Sequence, residues 1–278
     1  SYGCCRVQQL RRIDTNHIEW VKTGSQKMDV TGLVLSIGEK TTRRAIQSLE
    51  RQTIPLKEIV LVENVFPFHK AMNEGVSRIR TPFFIQCDAD MVLDPDCIEI
   101  MQKFIKEDIA VYIGYLYDDL LGKIQAVKMF RTECVRKVGF SDIISPDTDC
   151  INRLYEMGWN YIFVRRNASK YGHFPDVLGS HKPEYTPIYT FEKFKLQGTR
   201  IRYRGVFQEF VSCLTKLKNN THPMAMIALI GLCHGLFLEE SKDILRPYTR
   251  SRDFELLKTF MTNTSKKNMA FAITNDRD

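Results

Sequence analysis

An apolar run that ends in two carboxylates constrains this chain more than any other stretch: Thr81-Pro82-Phe83-Phe84-Ile85-Gln86-Cys87-Asp88-Ala89-Asp90-Met91-Val92-Leu93. Phe83 to Cys87, set off by a Thr-Pro break, has the length and the aromatic and branched content of a buried strand. Ionised carboxylates cannot follow that strand into a core unless something cationic meets them. At the C-terminal edge of a parallel sheet they face the crevice in which open α/β folds bind ligands. Two carboxylates spaced two positions apart can grip a hard divalent cation and the anion it carries, and magnesium or manganese is the usual occupant. The pair taken alone also reads as solvated turn aspartates, because Asp favours turns. An EF-hand loop is excluded, since the sixth position counted from Asp88 is Leu93 rather than Gly.

Strand–helix units lead up to this stretch. Val30 to Ile37 reads as a first buried strand, ending in Gly38-Glu39, and Thr41-Thr42 can cap a helix with Ala45, Ile46 and Leu49 at helical spacing. Thr53-Ile54-Pro55 ends that helix, and Glu58 to Val62 is a second strand running into Glu63-Asn64. A helix from about His69 to Ile79 then leads into Phe83 to Cys87 as the third strand. Alternation of this kind predicts right-handed crossovers and an α/β fold with a mostly parallel sheet flanked by helices.

Downstream, Pro95 predicts a helix to about Glu107, Ile109 to Leu116 a strand, Asp118 to Gly122 a turn, and Gln125 to Phe130 an antiparallel partner. Thr132 to Val138 reads as a short helix closed by Gly139. Ser145 or Asp147 can cap a further helix carrying Ile151, Leu154 and Tyr155, with Gly158 at its end. Carboxylates are favourable at a helix N-terminus, so capping stands beside any catalytic role for Asp147 and Asp149. Tyr161 to Val164 predicts another strand. From Lys170 to Pro187 a Gly/Pro/His-rich stretch reads as a long loop whose His173 and His181 either supply a metal ligand or bond locally. The remainder is read as helical, Tyr189 to Leu196, Val206 to Leu217 and Pro223 to Leu238, with a frayed tail from about Met261. The last apolar helix is shorter than the ~20 residues a membrane span requires. With the basic run Arg200 to Arg204 it suits packing on the main domain or peripheral contact with a membrane surface.

A chain of 278 residues has room for one large domain and an appendage. The reading divides it into an N-terminal extension (1–28), a ligand-binding α/β domain (29–205) and a C-terminal helical region (206–278). A net charge of +7 fits anionic ligands, while the dispersal of the basic residues and the lack of a reader motif argue against nucleic acid. The eight cysteines form no Cys-x-x-Cys pair, which disfavours a zinc ribbon. Several lie in apolar runs, as free thiols do in a reducing compartment, and the polar, basic start lacks the pattern of a secretory leader. A cytoplasmic protein, at most associated with the inner face of a membrane, is expected.

Taken in order, these motifs resemble the GT-A fold glycosyltransferases of the inverting family-2 type, over roughly Val30 to Arg204. Ser36, Gly38 and Glu39 look like the end of the first strand, which touches the nucleotide base. Leu49-Glu50-Arg51-Gln52-Thr53 is similar to the family's Ser-Leu-x-x-Gln-Thr. Glu63-Asn64 takes the place of an Asp-Asp pair, which implies that Glu63 reads the base. Lys70 to Gly75 resembles Ala-Arg-Asn-x-Gly, with Asn73 and Gly75 in place and Lys70 on the donor side. Asp88-Ala89-Asp90 matches the Asp-x-Asp motif. Ser145 to Gly158 looks like the Glu-Asp-x-Asp segment, with Pro146 for the Glu and Asp147 and Asp149 kept.

The resemblance implies a nucleotide-sugar donor, UDP-linked by expectation, and a saccharide, lipid-linked or other hydroxyl acceptor. It implies Mn2+ or Mg2+ bound directly by Asp90, with Asp88 towards the ribose or the metal's water shell, and His181 ahead of His173 as the further ligand. It makes Asp147 the general base. Two other readings stay open: a non-catalytic nucleotide-sugar-binding module, because of Pro146, and a sugar nucleotidyltransferase. The latter normally has a Gly-rich phosphate loop after the first strand, and Ser36-Ile37-Gly38-Glu39-Lys40 does not match one. A phosphohydrolase would place its Asp-x-Asp after the first strand, whereas two strand–helix units precede this one.

Overall fold

A computed structural model describes residues 28–165 and 176–237. Contacts divide the chain into two compact units, one ending at Glu184 and the other beginning at Tyr185. The helix from Pro187 therefore groups with the helices after it, although the sequence reading placed it with the sheet domain.

In the first unit, β1 (Val30–Ser36), α1 (Thr42–Glu50), β2 (Glu58–Glu63), α2 (Phe68–Arg78) and β3 (Phe83–Asp88) follow the strand–helix alternation read from the sequence. After β3 come β4 (Met91–Leu93), α3 (Cys97–Gln102), β5 (Ile109–Asp118), β6 (Gly122–Arg131), α4 (Thr132–Val138), α5 (Pro146–Glu156), β7 (Asn160–Phe163) and β8 (Val177–His181). Among the described residues the sheet has eight strands, in the order β2-β1-β3-β6-β5-β8-β4, with β7 also on β5. It is mixed: β1 pairs parallel with β2 and β3, β6 runs antiparallel between β3 and β5, and β5 pairs parallel with β7 and β8. One edge of β5 is shared, since its first half meets β7 and its second half β8.

β3 shows why its sequence is continuously apolar. Phe83, Ile85 and Cys87 enter one core cluster with Val34, Ile98 and Tyr112, while Phe84 enters another with Leu33, Met72 and Phe130. Both faces of the strand are covered, so alternation with polar residues is lost. Each fully buried Phe or Ile stabilises the fold by about 1.5–3 kcal/mol relative to an exposed one.

Two readings are corrected here. The helix expected from Pro95 to Glu107 is only Cys97–Gln102, and β4 precedes it. Its last turn tightens, with Phe104 N donating to Met101 O and Ile105 N to Gln102 O, which lets Phe104 and Ile105 pack on the core. The second correction is that Val177–His181, expected within a loop, is a buried strand. Its composition carries no strand signal; pairing with β5 on one side and β4 on the other decides its conformation. A Cβ at Gly179 would stand 2.4 Å from Val92 O, so the approach of β4 requires glycine there. His173 lies outside the described residues.

The second unit holds α6 (Pro187–Arg204), α7 (Phe207–Lys218) and α8 (Ala225–Phe237). The hydroxyl of Thr186 accepts from Tyr189 N at 3.3 Å, and Pro187 opens α6, which continues through the basic segment to Gly205 at φ +65°. α6 and α8 touch through their backbones: a Cβ on Gly235 would fall 1.8 Å from Lys195 O, and one on Gly198 2.1 Å from Leu232 O. No helix among the described residues is long and apolar enough to cross a membrane.

Gly235→Ala must push these helices apart, and overpacking of this kind typically costs about 1–3 kcal/mol. A clear drop in the urea midpoint of the variant is expected, and an unchanged midpoint would mean that the two backbones are not in contact.

Candidate functional site

The C-terminal ends of β1, β2 and β3 lie level, with Ser36 opposite Glu63 and Leu35 opposite Asp88. Ala89, itself buried, donates its N–H to Leu35 O at 3.1 Å, so the chain stays tied to β1 for one residue beyond β3 before turning into β4. That turn leaves the Asp88 and Asp90 side chains at the sheet edge. Gln86 Nε2 donates to Asp88 Oδ1 at 3.0 Å. Burial, and then the charge of Asp90, push the Asp88 carboxyl up to about 6, with Gln86, Lys128 and His181 acting in the opposite sense.

Pairing of β4 with β8 brings His181 to Asp90. Met91 lies opposite His181, Lys182 N donates to Asp90 O at 2.6 Å, and His181 Nε2 stands 2.9 Å from Asp90 Oδ2. On the other side of the ring, Nδ1 lies 2.6 Å from Oδ2 of Asp118, the last residue of β5 and the register partner of His181. The other Asp118 oxygen accepts from Leu120 N and Leu121 N, both at 2.8 Å. In the sequence Asp118 reads as a turn residue; the backbone bonds it accepts make it that, and its second oxygen gives it a further role.

Asp147 reaches the same edge from α5. Lys128 on β6 lies opposite Gln86, which puts it on the face that carries Asp88. Its ammonium is 3.0 Å from Asp147 Oδ2, and the residue is only 8% exposed. Asp149, two residues on, is engaged differently. It accepts from Arg153 Nε at 2.8 Å, and the Arg153 guanidinium donates to Val138 O and Gly139 O, which ties α5 to the end of α4. Lys128 escapes sequence reasoning because only antiparallel pairing, not spacing, places it here.

The remaining candidates are spread more widely. Glu39 Oε2 accepts from Ser36 Oγ at 2.9 Å and from Ile37 N at 2.7 Å, closing the loop that contains Gly38 at φ +94°. Glu39 and the exposed Glu63 line an open cavity of about 570 Å³ together with Lys40, Arg43 and Gln47. Lys70 is exposed in the first turn of α2. Asn73 engages both ends of its amide with Phe140, donating to its carbonyl and accepting from its N–H at 2.9 Å each, and so joins α2 to the segment after α4.

Among the described residues, no three His, Cys, Asp or Glu side chains converge into a complete metal cluster. Asp90 and His181 nevertheless form a pair of donors whose 2.9 Å separation fits one cation. Neighbouring ligands at about 2.1 Å from an octahedral ion lie roughly 3 Å apart. The imidazole also sits between two carboxylates, and a neutral ring has only one N–H to give. A second proton or a cation must therefore face Asp90. A carboxylate, an imidazole and the oxygens of a bound anion form a donor set that suits Mn2+ or Mg2+.

The family model described as Glycosyl transferase family 2 matches residues 63–160, a span holding Asp88, Asp90, Asp118, Lys128 and Asp147. None of the curated proteins matches the chain. Among solved structures, the chain is similar to mannosyltransferase PcManGT from Pyrobaculum calidifontis in complex with GDP-Man and Mn2+. That pair is 12% identical, covers 88% of this chain and 85% of the other, and has a TM-score of 0.47. Glucosyl-3-phosphoglycerate synthase from Mycobacterium tuberculosis in complex with Mg2+ and UDP is 10% identical over 64% of this chain and 80% of that one, with a TM-score of 0.45. TarS 1-349 from S. aureus in complex with UDP-GlcNAc is 11% identical over 76% and 73%, with a TM-score of 0.41.

The contact between Lys128 and Asp147 predicts strong coupling between them. In a double-mutant cycle of Lys128→Met and Asp147→Asn, urea denaturation should show an interaction of roughly 1–3 kcal/mol. Simple additivity would mean that the pair does not form.

Proposed function

We propose that this chain, whose residues 63–160 match the family model of glycosyl transferase family 2, moves a sugar from a nucleotide-sugar donor to an acceptor hydroxyl, with inversion at the anomeric carbon. The observation that carries this reading is the approach of Asp147, held by Lys128, to the edge where Asp88, Asp90 and His181 gather. Donor-side and acceptor-side groups would then stand at one sheet edge.

A divalent cation, Mn2+ or Mg2+, held by Asp90 and His181 with Asp88 beside them, would neutralise charge on the departing diphosphate. Asp147 takes the proton from the acceptor hydroxyl as its oxygen attacks the anomeric carbon from the side opposite the diphosphate. One base and an in-line attack invert the centre. The first turn of α5 and the Lys128 ammonium 3.0 Å away both favour the charged form of Asp147 that a base requires. Gln86 holds one oxygen of Asp88 and so sets which way that carboxylate faces. Glu63 and the Ser36–Glu39 loop, at the ends of β2 and β1, are our candidates for contact with the base, taken to be uracil.

Thermal shift across a panel of nucleoside diphosphates, with and without Mn2+, tests the donor site. Binding stabilises the fold by about 2.7 kcal/mol at a hundredfold excess over Kd. A metal-dependent shift with UDP, lost in Asp90→Ala, is the expected result; no shift with any nucleotide would remove the donor-site assignment. Asp147→Asn should keep that shift while lowering kcat by roughly 10²–10⁴-fold. Turnover near the wild-type rate would show that another group is the base.

A further inference from the structure

We propose that Asp118 is a positioning residue for the cation site: it fixes the His181 ring with Nδ1 protonated, so that Nε2 presents its lone pair beside Asp90. This inference rests on the reading of Asp90 and His181 as the cation-holding pair. Four observations carry it. Asp118 is 1% exposed, so its carboxylate has protein partners instead of water. One of its oxygens accepts two backbone N–H groups, from Leu120 and Leu121, which holds the carboxylate in one orientation. The other lies 2.6 Å from His181 Nδ1. The parallel pairing of β5 with β8 then sets Asp118 and His181 opposite each other, so the contact belongs to the sheet itself.

The chemistry follows from the donor inventory. A carboxylate only accepts, so Nδ1 must donate to it. The other tautomer would aim a ring lone pair at a buried anion and leave both without a hydrogen, which is costly in a dry environment. With Nδ1 committed, Nε2 is the nitrogen left for an ion. Histidines that bind metals commonly have their second nitrogen engaged by a carboxylate in this way, and loss of the outer partner typically weakens metal affinity roughly 10–100-fold.

Asp118→Asn is the informative variant. The amide keeps an oxygen for Leu120 and Leu121 and turns an N–H₂ towards Nδ1, which forces the proton onto Nε2. On the full chain, Mn2+ titration followed by the electron paramagnetic resonance of the free ion, with UDP present, should show binding weakened roughly 10–100-fold. His181→Ala and Asp90→Ala serve as references. ¹⁵N spectra of histidine-labelled wild type with Mg2+ and UDP should show His181 protonated at Nδ1, a readout that does not depend on how well any variant folds. Wild-type affinity in Asp118→Asn while His181→Ala binds weakly, or a wild-type ring protonated at Nε2, would overturn the assignment of Asp118 alone. Failure of wild type to bind Mn2+ would overturn the cation site and this inference together.

Discussion

Carboxylates gathered at the partly buried edge of a sheet must be compensated, and this requirement organises the first unit. Asp88, Asp90, Asp118 and Asp147 converge with Lys128 and His181. A buried ion that loses its partner costs several kcal/mol, so these positions are tied to one another more tightly than their spacing in the chain suggests. The strain falls on Asp88, whose carboxyl is pushed up to about 6 because burial and the charge of Asp90 outweigh the groups that favour its ionised form. A divalent cation added there would relieve the same strain, which links the electrostatics of the fold to its proposed chemistry.

The topology supplies the compensation. Antiparallel β6 carries Lys128 alongside β3, opposite Gln86. The shared edge of β5 frees its second half for β8, and β8 in turn recruits β4. Asp90 and His181 flank that last pairing, at the start of β4 and the end of β8, while Asp118 ends β5. Three strands thus meet where charge is needed. α5 adds a helix N-terminus that favours the carboxylate of Asp147, with Asp149 and Arg153 anchoring the helix to the end of α4.

Near-identical residue types are engaged in different ways here. Asp147 and Asp149 stand in one helical turn, yet Asp149 is occupied by Arg153, whereas Asp147 reaches the sheet edge. Asn73, read as a donor contact from its motif, uses both ends of its amide to hold Phe140. Glu39 closes its own loop while lining the cavity it shares with Glu63.

Much of the fold was legible locally. β1, β2 and β3 announce themselves as apolar runs between turn formers, and α4 ends at Gly139 as its pattern predicts, because these signals act within a few residues. The placement of Asp88 and Asp90 at a strand end and of Asp147 in a helix's first turn follows from the same short-range rules. β4 and β8 do not, since Met91–Leu93 is too brief for a pattern and Val177–His181 is strand only because it has neighbours on both sides. Cross-strand register sets Asp118 opposite His181 and Lys128 beside Gln86, within reach of Asp147 on α5, and no spacing within the chain encodes it. The sequence by itself determined the alternating strands and helices, the carboxylates at the sheet edge and the residue types able to bind a cation. Tertiary structure alone decided which cation faces which carboxylate, because ion pairing depends on separation in space, and in a sheet that separation is set by strand order.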